Sequence, residues 1–315
     1  MEISSIPEYL KKKSCPERIE GGSRKINSNR KDENHQHNQP LVTIITVVFN
    51  GEEYIESTIK SVINQTHENI EYLVIDGGSN DGTLEILKKY SAHIDYWLSE
   101  PDNGIYDAMN KGIALSSGDI IGLLNAGDTY LPNALSLLVE QFVPSDDLSI
   151  YYGDIYLGYT DANITIKSPA SIDRLKYSMT ICHQAIFITK HTYLNQGLYN
   201  LNYKYASDYA YVFSLLLIGA EFHYLDGVVA YYQTGGVSDN KIFNLKLEYI
   251  KIHRNLKSPF FYRALILYIQ ELFSYYFYKI VGYFFGKQKG AEFRKQRLIN
   301  KYQTHILQNQ EVKSK

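Results

Sequence analysis

One apolar segment constrains the fold of this 315-residue chain more than any other feature. Residues 41–49 read Leu-Val-Thr-Ile-Ile-Thr-Val-Val-Phe, and Asn50-Gly51 ends the run. A β-branched run of this kind, without alternating polar residues, is typical of a strand buried on both faces of a parallel sheet. Since such a sheet is covered by helices, the run predicts an α/β protein.

Strands and helices continue to alternate over the next 90 residues. Further strands are predicted at 70–75, 94–98 and 119–124. Apolar residues recur at helical spacing between them, at 55–63, from about 83, and at 105–115. The alternation predicts a mostly parallel, Rossmann-like sheet with helices on both faces.

Polar loops follow three of the predicted strands. They are Phe49-Asn50-Gly51-Glu52, Asp76-Gly77-Gly78-Ser79 and Asn125-Ala126-Gly127-Asp128. The carboxyl ends of parallel strands meet at one edge of the sheet, and ligands of open α/β sheets bind in the crevice there. The three loops therefore predict a ligand site at this edge.

Two aspartates in these loops are candidates for ligand chemistry. Asp76 can accept hydrogen bonds from a nucleobase or ribose; the alternative is a turn aspartate that caps its own loop. Asp128 can supply one ligand to a divalent cation, with Asn125 adding an amide oxygen directly or through water. The alternative for Asp128 is the N-cap of the helix that Pro132 opens.

The two ends of the chain differ from this segment. Residues 1–39 are polar and almost free of large apolar side chains, so they are expected to form a disordered tail. Residues 40–255 are assigned to the sheet domain, and residues 256–315 to an aromatic-rich, helical C-terminal extension.

The helix predicted at 259–286 has two alternative roles. Arg263, Glu271 and Lys279 interrupt it, so a membrane-spanning helix is not expected. Its Tyr and Phe residues suit a helix that lies in the membrane interface, with basic residues up to 297 meeting anionic lipid. The alternative is a helix that packs on its own domain or on the second subunit of a homodimer.

Composition excludes several classes of protein. The chain has 32 Lys and Arg against 34 Asp and Glu, so it lacks the basic excess of a general nucleic-acid-binding protein. Cys15 and Cys182 cannot form a disulfide framework or a four-cysteine zinc site. The first ten residues lack the pattern of a secretory signal. A cytoplasmic protein is expected, soluble or peripheral on the inner face of the cell membrane.

Five blocks of the sequence resemble glycosyltransferase family 2, in the family's order. They are residues 42–54, 61–66, 74–83, 100–112 and 122–128. The form Asn-Ala-Gly-Asp at 125–128 is similar to a subgroup that builds bacterial O-antigens, capsules and exopolysaccharides. The resemblance implies a GT-A fold, a UDP-, GDP- or dTDP-sugar donor, a divalent metal (Mg²⁺ or Mn²⁺) and transfer with inversion.

The same resemblance implies roles for individual residues. On the nucleotide-sugar side it places Val47, Phe49, Asn50, Glu52, Asp76, Asp107, Lys111 and Asn125. Asp128 matches the last aspartate of the family's metal-binding motif, whose other acidic positions are Asn125 and Gly127 here. That departure predicts weaker metal binding.

Asp208 matches the family's catalytic base, with Ser207 in place of the usual glutamate. A carboxylate there can take the proton of the acceptor hydroxyl as the glycosidic bond forms; a helix-capping role is compatible with it. His183 and Gln184 resemble a block on the acceptor side, and a histidine satisfied within the core is the alternative for His183.

The first functional hypothesis is a metal-assisted inverting glycosyltransferase. Its acceptor is expected to be a lipid-linked glycan in the synthesis of a bacterial surface polysaccharide. One alternative is transfer of a sugar to polyprenyl phosphate, and another is a non-catalytic subunit that only binds a nucleotide sugar. A Rossmann dehydrogenase is disfavoured, because no Gly-x-Gly-x-x-Gly follows the first strand.

Overall fold

The computed structural model describes residues 17–26, 39–145, 147–159, 164–233, 241–285 and 306–307. The strands are β1 (Ile19–Gly21), β2 (Val42–Val48), β3 (Ile70–Asp76), β4 (Tyr96–Ser99), β5 (Ile120–Asn125), β6 (Thr129–Tyr130), β7 (Ser149–Tyr159), β8 (Ile164–Ser168), β9 (Ile186–Thr189), β10 (Glu221–Gln233) and β11 (Ile306–Leu307). The helices are α1 (Ser23–Ile26), α2 (Ile55–Ile63), α3 (Thr83–Lys89), α4 (Ile105–Leu115), α5 (Ala134–Gln141), α6 (Ile172–Leu175), α7 (Lys190–Gln196), α8 (Ser207–Leu217), α9 (Ile242–Asn255) and α10 (Phe261–Phe285), with a short 3-10 helix at His183–Ala185.

A parallel core forms the first half of the sheet. The strands follow the order β1-β4-β3-β2-β5-β9-β7-β10-β6, and β4, β3, β2 and β5 are parallel neighbours. Every residue of β2 is buried, as its apolar sequence predicts. The register pairs Val48 with Asp76 and Val47 with Asn125. The three polar loops therefore leave the sheet at one edge, which confirms the prediction that they meet there.

The second half of the sheet mixes strand directions. β9 lies antiparallel between β5 and β7, β10 is parallel to β7, and β6 is antiparallel to β10. The two long strands β7 and β10 extend beyond the short apolar runs that the sequence pattern picks out.

Helices cover both faces of the sheet, as predicted. Side chains of β2 alternate between two core clusters: Ile45 packs with Met109 of α4, and Ile44 packs with Ile59 of α2. Gly112 lets α4 approach β2 closely, because a Cβ at that position would lie 2.3 Å from Cγ2 of Ile45.

The prediction of a disordered tail over residues 1–39 is wrong for residues 17–26. β1 adds to the sheet as an antiparallel edge strand on β4. Arg18 donates to Glu100 at 2.8 Å, and Arg24 donates to Glu71. Glu71 and Glu100 are each only 2% exposed. Ion pairs with buried carboxylates, which composition does not reveal, hold this segment; residues 1–16 and 27–38 lie outside the described ranges.

His253 joins the three C-terminal helices α8, α9 and α10. Its Nε2 lies 3.0 Å from the Tyr209 hydroxyl and 3.1 Å from the Tyr268 hydroxyl, and its Nδ1 lies 3.0 Å from the Ser258 hydroxyl. The side chain is completely buried. In the part of the chain that the structure describes, no helix combines the length and the hydropathy needed to span a bilayer.

Burial lowers the pKa of His253 to about 4. The unfolded chain therefore takes up a proton at this histidine as pH falls below about 6.5, whereas the folded protein resists protonation until about pH 4. We expect this residue to lower the free energy of unfolding by about 3 kcal/mol across that window. Urea unfolding at several pH values should show a smaller loss of the free energy of unfolding, as pH falls through this window, for His253→Gln than for the wild type. An equal loss in the two proteins would contradict the prediction.

Candidate active site

A cavity of about 720 Å³ opens at the edge where the polar loops leave the sheet. Its walls come from the loop after β2, the start of α4, the end of β5, His183 and the residues before α8. Six aromatic side chains contribute to the lining: Phe49, Tyr54, Tyr106, Tyr203, Tyr205 and Tyr232. A cavity of this size and composition suits a small polar ligand with flat or ring-shaped parts.

Asp208 lies on the wall of this cavity, in the first turn of α8. The Tyr106 hydroxyl donates a hydrogen bond to its Oδ1 at 2.8 Å. Burial, with Asp208 beside it, raises the pKa of Tyr106 well above its usual value, so the hydroxyl stays protonated as a donor. The Asp208 side chain remains 18% exposed. Since the N-cap of α8 is Ala206, Asp208 is not the capping residue.

His183 connects Asp208 to the end of β5. Its Nδ1 lies 3.8 Å from Asp208 Oδ2, and its Nε2 lies 2.9 Å from Asn125 Nδ2. Burial lowers the pKa of His183, while Asp208 opposes that shift. The imidazole is therefore neutral at neutral pH. Because the Asn125 amide donates to Nε2, the remaining ring proton is on Nδ1 and faces Asp208.

Asp128 and Gln184 lie beneath this wall and do not line the cavity. Gln184 is 2% exposed and donates to Asp128 Oδ2 at 2.8 Å. Its amide nitrogen therefore contacts the predicted metal ligand, and its acceptor-side role stays a prediction. Asn133 occupies the N-cap position of α5, so the alternative of Asp128 as a helix cap is wrong.

The oxygen atoms here can be tested against a divalent cation. The Asn125 Oδ1 atom is buried without a hydrogen-bond partner among the described residues. Asp128 adds a carboxylate from the same turn. The described ranges hold no group of three or more His, Cys, Asp or Glu residues that could form a metal cage. One carboxylate and one amide oxygen fit a hard cation that keeps its waters and the substrate's phosphates.

Four of the predicted donor-side residues line the cavity: Val47, Phe49, Asn50 and Asn125. Asn50 has φ 50° and holds the neighbouring loop, because its N–H donates to the Ser79 hydroxyl at 2.7 Å and its Oδ1 accepts from the Asn80 N–H at 3.0 Å. Glu52 lies outside the lining, where its carboxylate accepts from the Gly82 N–H at 3.0 Å.

Asp76 lies behind the cavity wall. It is completely buried and accepts from the Ser79 N–H at 3.0 Å and the Ser99 hydroxyl at 2.6 Å. This is the turn-aspartate arrangement that the sequence left open. Direct contact with a nucleobase stays a prediction for this residue.

Asp107 and Lys111 also lie behind the wall. Asp107 accepts from the Asn103 N–H at 2.9 Å. Lys111 pairs with Glu100 at 2.8 Å and donates to the Pro101 carbonyl at 3.2 Å. Both residues fix the segment between β4 and α4, part of which faces the cavity. Their predicted donor-side role is untested.

Sequence reasoning missed several lining residues. Asp102 is not among the predicted site residues, but it faces the cavity, and burial raises the pKa of its carboxyl group. Tyr106 stands directly before the singled-out Asp107, and Tyr203 and Tyr205 shortly precede Asp208. Their proximity in sequence to the motif residues is the signal that could have identified these tyrosines. Lys204 is the single Lys or Arg side chain of the described lining.

The comparisons place this architecture in a family. The model of "Glycosyl transferase family 2" matches residues 43–197. The "Uncharacterized glycosyltransferase Rv1514c" of Mycobacterium tuberculosis (strain ATCC 25618 / H37Rv) is 32% identical over 187 residues, which are 57% of this chain and 70% of the relative. The "PGL/p-HBAD biosynthesis glycosyltransferase" of Mycobacterium bovis (strain BCG / Pasteur 1173P2) is 32% identical over 177 residues, which are 54% and 67% of the two chains.

Two solved structures share the fold. The mannosyltransferase PcManGT from Pyrobaculum calidifontis, in complex with GDP-Man and Mn²⁺, superposes with a TM-score of 0.54 at 14% identity over 69% of this chain and 64% of that chain. TarS 1–349 of S. aureus, in complex with UDP-GlcNAc, gives 0.52 at 16% identity over 68% and 65%. This chain thus spans just under two thirds of each. Their likeness confirms the predicted GT-A fold.

Sequence and fold lead to the same assignment. The family model covers the parallel half of the sheet and continues through α7, and two curated relatives match at 32% identity over two thirds or more of their own length. The chain belongs to glycosyl transferase family 2.

Proposed function

We propose that this glycosyltransferase transfers a sugar, with inversion, from a nucleotide sugar to a hydroxyl of a lipid-linked glycan. The synthesis of a polysaccharide or glycolipid is the context supported by two relatives, the PGL/p-HBAD biosynthesis glycosyltransferase and a chondroitin synthase of Pasteurella multocida (strain Pm70) that is 27% identical over 194 residues. One observation carries the proposal: the Asp208 carboxylate faces the cavity at the edge of the sheet where family 2 motifs lie.

Asp208 acts as the general base in this proposal. A sugar hydroxyl is a poor nucleophile at neutral pH, and a carboxylate within hydrogen-bond reach can take its proton as the new bond forms. Tyr106 fixes one carboxylate oxygen, and the neutral His183 faces the other. A base held in this way loses little orientational freedom when the acceptor binds.

The donor occupies the side of the cavity formed by Val47, Phe49 and Asn50. Two fold neighbours have structures in complex with UDP-GlcNAc and with GDP-Man, which supports a nucleotide sugar as the class of donor. Asp76 acts from behind this wall, by fixing the loops that the nucleotide contacts.

Asp128 and Asn125 are the residues that would hold a divalent metal. When bound, the metal would offset the negative charge that builds on the departing nucleoside diphosphate. Gln184 keeps the Asp128 carboxylate oriented through its hydrogen bond to Oδ2.

Replacing the base should separate chemistry from donor binding. We expect Asp208→Asn to lower kcat by about 10²- to 10⁴-fold, because the amide cannot take the proton. Donor binding, followed by thermal shift with UDP-, GDP- and dTDP-sugars, should persist. Asp226→Asn, at an exposed aspartate of β10, is the matched control. Unchanged transfer by Asp208→Asn would refute the base role; donor binding by a wild type without transfer to any acceptor would favour the non-catalytic subunit.

Metal removal tests the role of Asp128. We expect EDTA to abolish transfer and Mn²⁺ or Mg²⁺ to restore it, with Asp128→Ala lowering kcat about 100-fold or more at fixed metal concentration. Asp147→Ala, at an exposed aspartate, controls for loss of surface charge. Full activity of the wild type in EDTA would eliminate the metal from this proposal.

The proposed contact with a membrane surface rests on α10. Its exposed apolar side chains repeat at intervals of four and three residues: Tyr262, Ile266, Ile269, Phe273, Tyr276, Ile280 and Tyr283. Their exposed fractions run from 44% to 84%. The opposite side of the helix is anchored, because Ala264 and Tyr268 are buried and Glu271 pairs with Lys246 of α9 at 2.5 Å.

We favour an anionic lipid surface over a second copy of the chain. Phe277 and Phe284 are also exposed, so the apolar face of α10 is wider than the narrow seam of a two-stranded coiled coil. The sequence after α10 carries five basic residues before residue 298, namely Lys287, Lys289, Arg294, Lys295 and Arg297. Anionic headgroups attract such a basic segment. A parallel second copy of the chain would instead bring two basic segments together, and their charges would repel each other.

Vesicle flotation tests this surface. We expect the protein to float with vesicles that contain phosphatidylglycerol and not with pure phosphatidylcholine. Phe273→Glu should lower the partition coefficient about tenfold or more, since burial of a large apolar side chain contributes about 1.5–3 kcal/mol. Leu194→Glu, which changes an exposed apolar residue of α7, should bind as the wild type does. Absence of flotation, with a concentration-dependent dimer that Phe273→Glu disrupts, would instead establish the second copy.

A further inference from the structure

A buried carboxylate on α9 holds the backbone in front of the candidate base. Glu248 is 9% exposed. Its Oε1 accepts from the Lys204 N–H at 2.8 Å, and its Oε2 accepts from the N–H groups of Tyr205 and Ala206 at 2.8 and 2.9 Å. Three consecutive backbone donors therefore converge on one side chain.

No ion pair competes for this carboxylate among the described residues. The charged pair nearest along α9 is Lys246 with Glu271, and it does not include Glu248. The negative charge is offset by the three N–H groups and by the positive end of α8, which begins at Ser207. Hydrogen bonds from N–H groups to a carboxylate are charge-assisted and stronger than neutral ones.

The segment held in this way lines the cavity. Tyr203, Lys204 and Tyr205 all belong to its wall. A second anchor comes from the same helix, since Asn255 Nδ2 donates to the Tyr203 hydroxyl at 2.9 Å. Positions 248 and 255 are two helical turns apart and share one face of α9. The helix thus fixes the whole segment from 203 to 206.

The helix that carries Asp208 starts where this segment ends. The Ala206 carbonyl accepts from the Ala210 N–H at 2.9 Å, which makes Ala206 the first acceptor of α8. Glu248 holds the N–H of the same residue. Displacement of Ala206 would therefore move the first turn of α8, and Asp208 with it.

We propose that Glu248 is a positioning residue that sets Asp208, together with the wall at 203–205, for the acceptor hydroxyl. This inference rests on the proposed function, in which Asp208 is the base. Glu248 does not line the cavity, so it acts through the backbone and not on substrate. It also lies beyond residue 197, where the match to the family model ends.

Steady-state kinetics of Glu248→Ala and Glu248→Gln test this role. We expect Glu248→Ala to lower kcat 10- to 100-fold and to raise the acceptor KM, with the donor KM changed less than twofold. Glu248→Gln keeps one acceptor oxygen, so it should recover part of kcat. Glu140→Gln makes the same substitution at an exposed glutamate of α5, and its kcat should match the wild type.

Amide hydrogen exchange provides a readout that does not depend on transfer. Exchange at residues 204–206 should accelerate at least tenfold in Glu248→Ala, and in Glu248→Gln if the alanine variant does not fold, but not in Glu140→Gln. A variant that exchanges faster and keeps the wild-type kcat would overturn the positioning role. If exchange is faster in the variant but the wild type is inactive, the proposed function fails and the role of Glu248 in holding the segment stands. Unchanged exchange in the variant would show that Glu248 does not hold residues 204–206.

Discussion

The hydrogen bonds of β2 to both of its parallel neighbours are the constraint on which the site depends. Their register sets Val48 beside Asp76 and Val47 beside Asn125. The loops continue this pairing, because the Gly77 N–H donates to the Val48 carbonyl at 2.9 Å and the Ala126 N–H donates to the Val47 carbonyl at 3.0 Å. A slip of one residue would reverse every side chain of β2 and move all three loops apart.

Carboxylates behind the cavity wall stiffen it without entering it. Asp76 binds two serines, Asp107 holds the Asn103 N–H, and Glu100 joins Arg18 to Lys111. A buried acid with its hydrogen bonds satisfied resists displacement, because moving it would leave a charge without partners. The wall is therefore organised before a ligand arrives, which is the condition under which electrostatic stabilisation of a transition state costs least.

Periodicity in the sequence predicts the parallel core because apolar residues predominate in its long strands, as in Val42–Val48. It also predicts the edge of the site, since strand ends and polar loops coincide. It cannot predict residues 17–26, whose place depends on Arg18 and Arg24 meeting acids more than 45 positions away. Glu248 is hidden for the same reason: it is one of several charged residues on an amphipathic helix, and its partners are backbone groups that carry no sequence signal.

The two sides of the cavity depend on different parts of the chain. The proposed donor side is built by β2, β5 and α4, which lie within the region matched by the family model. The other side is built by residues 201–208, which α9 holds through Glu248 and which His253 ties to α10 through Tyr209 and Tyr268. Since Tyr209 adjoins Asp208, the packing of α10 bears directly on the first turn of α8. We therefore expect changes in the C-terminal helices to alter the wall at 201–208, the proposed acceptor side, while the proposed donor side keeps its geometry.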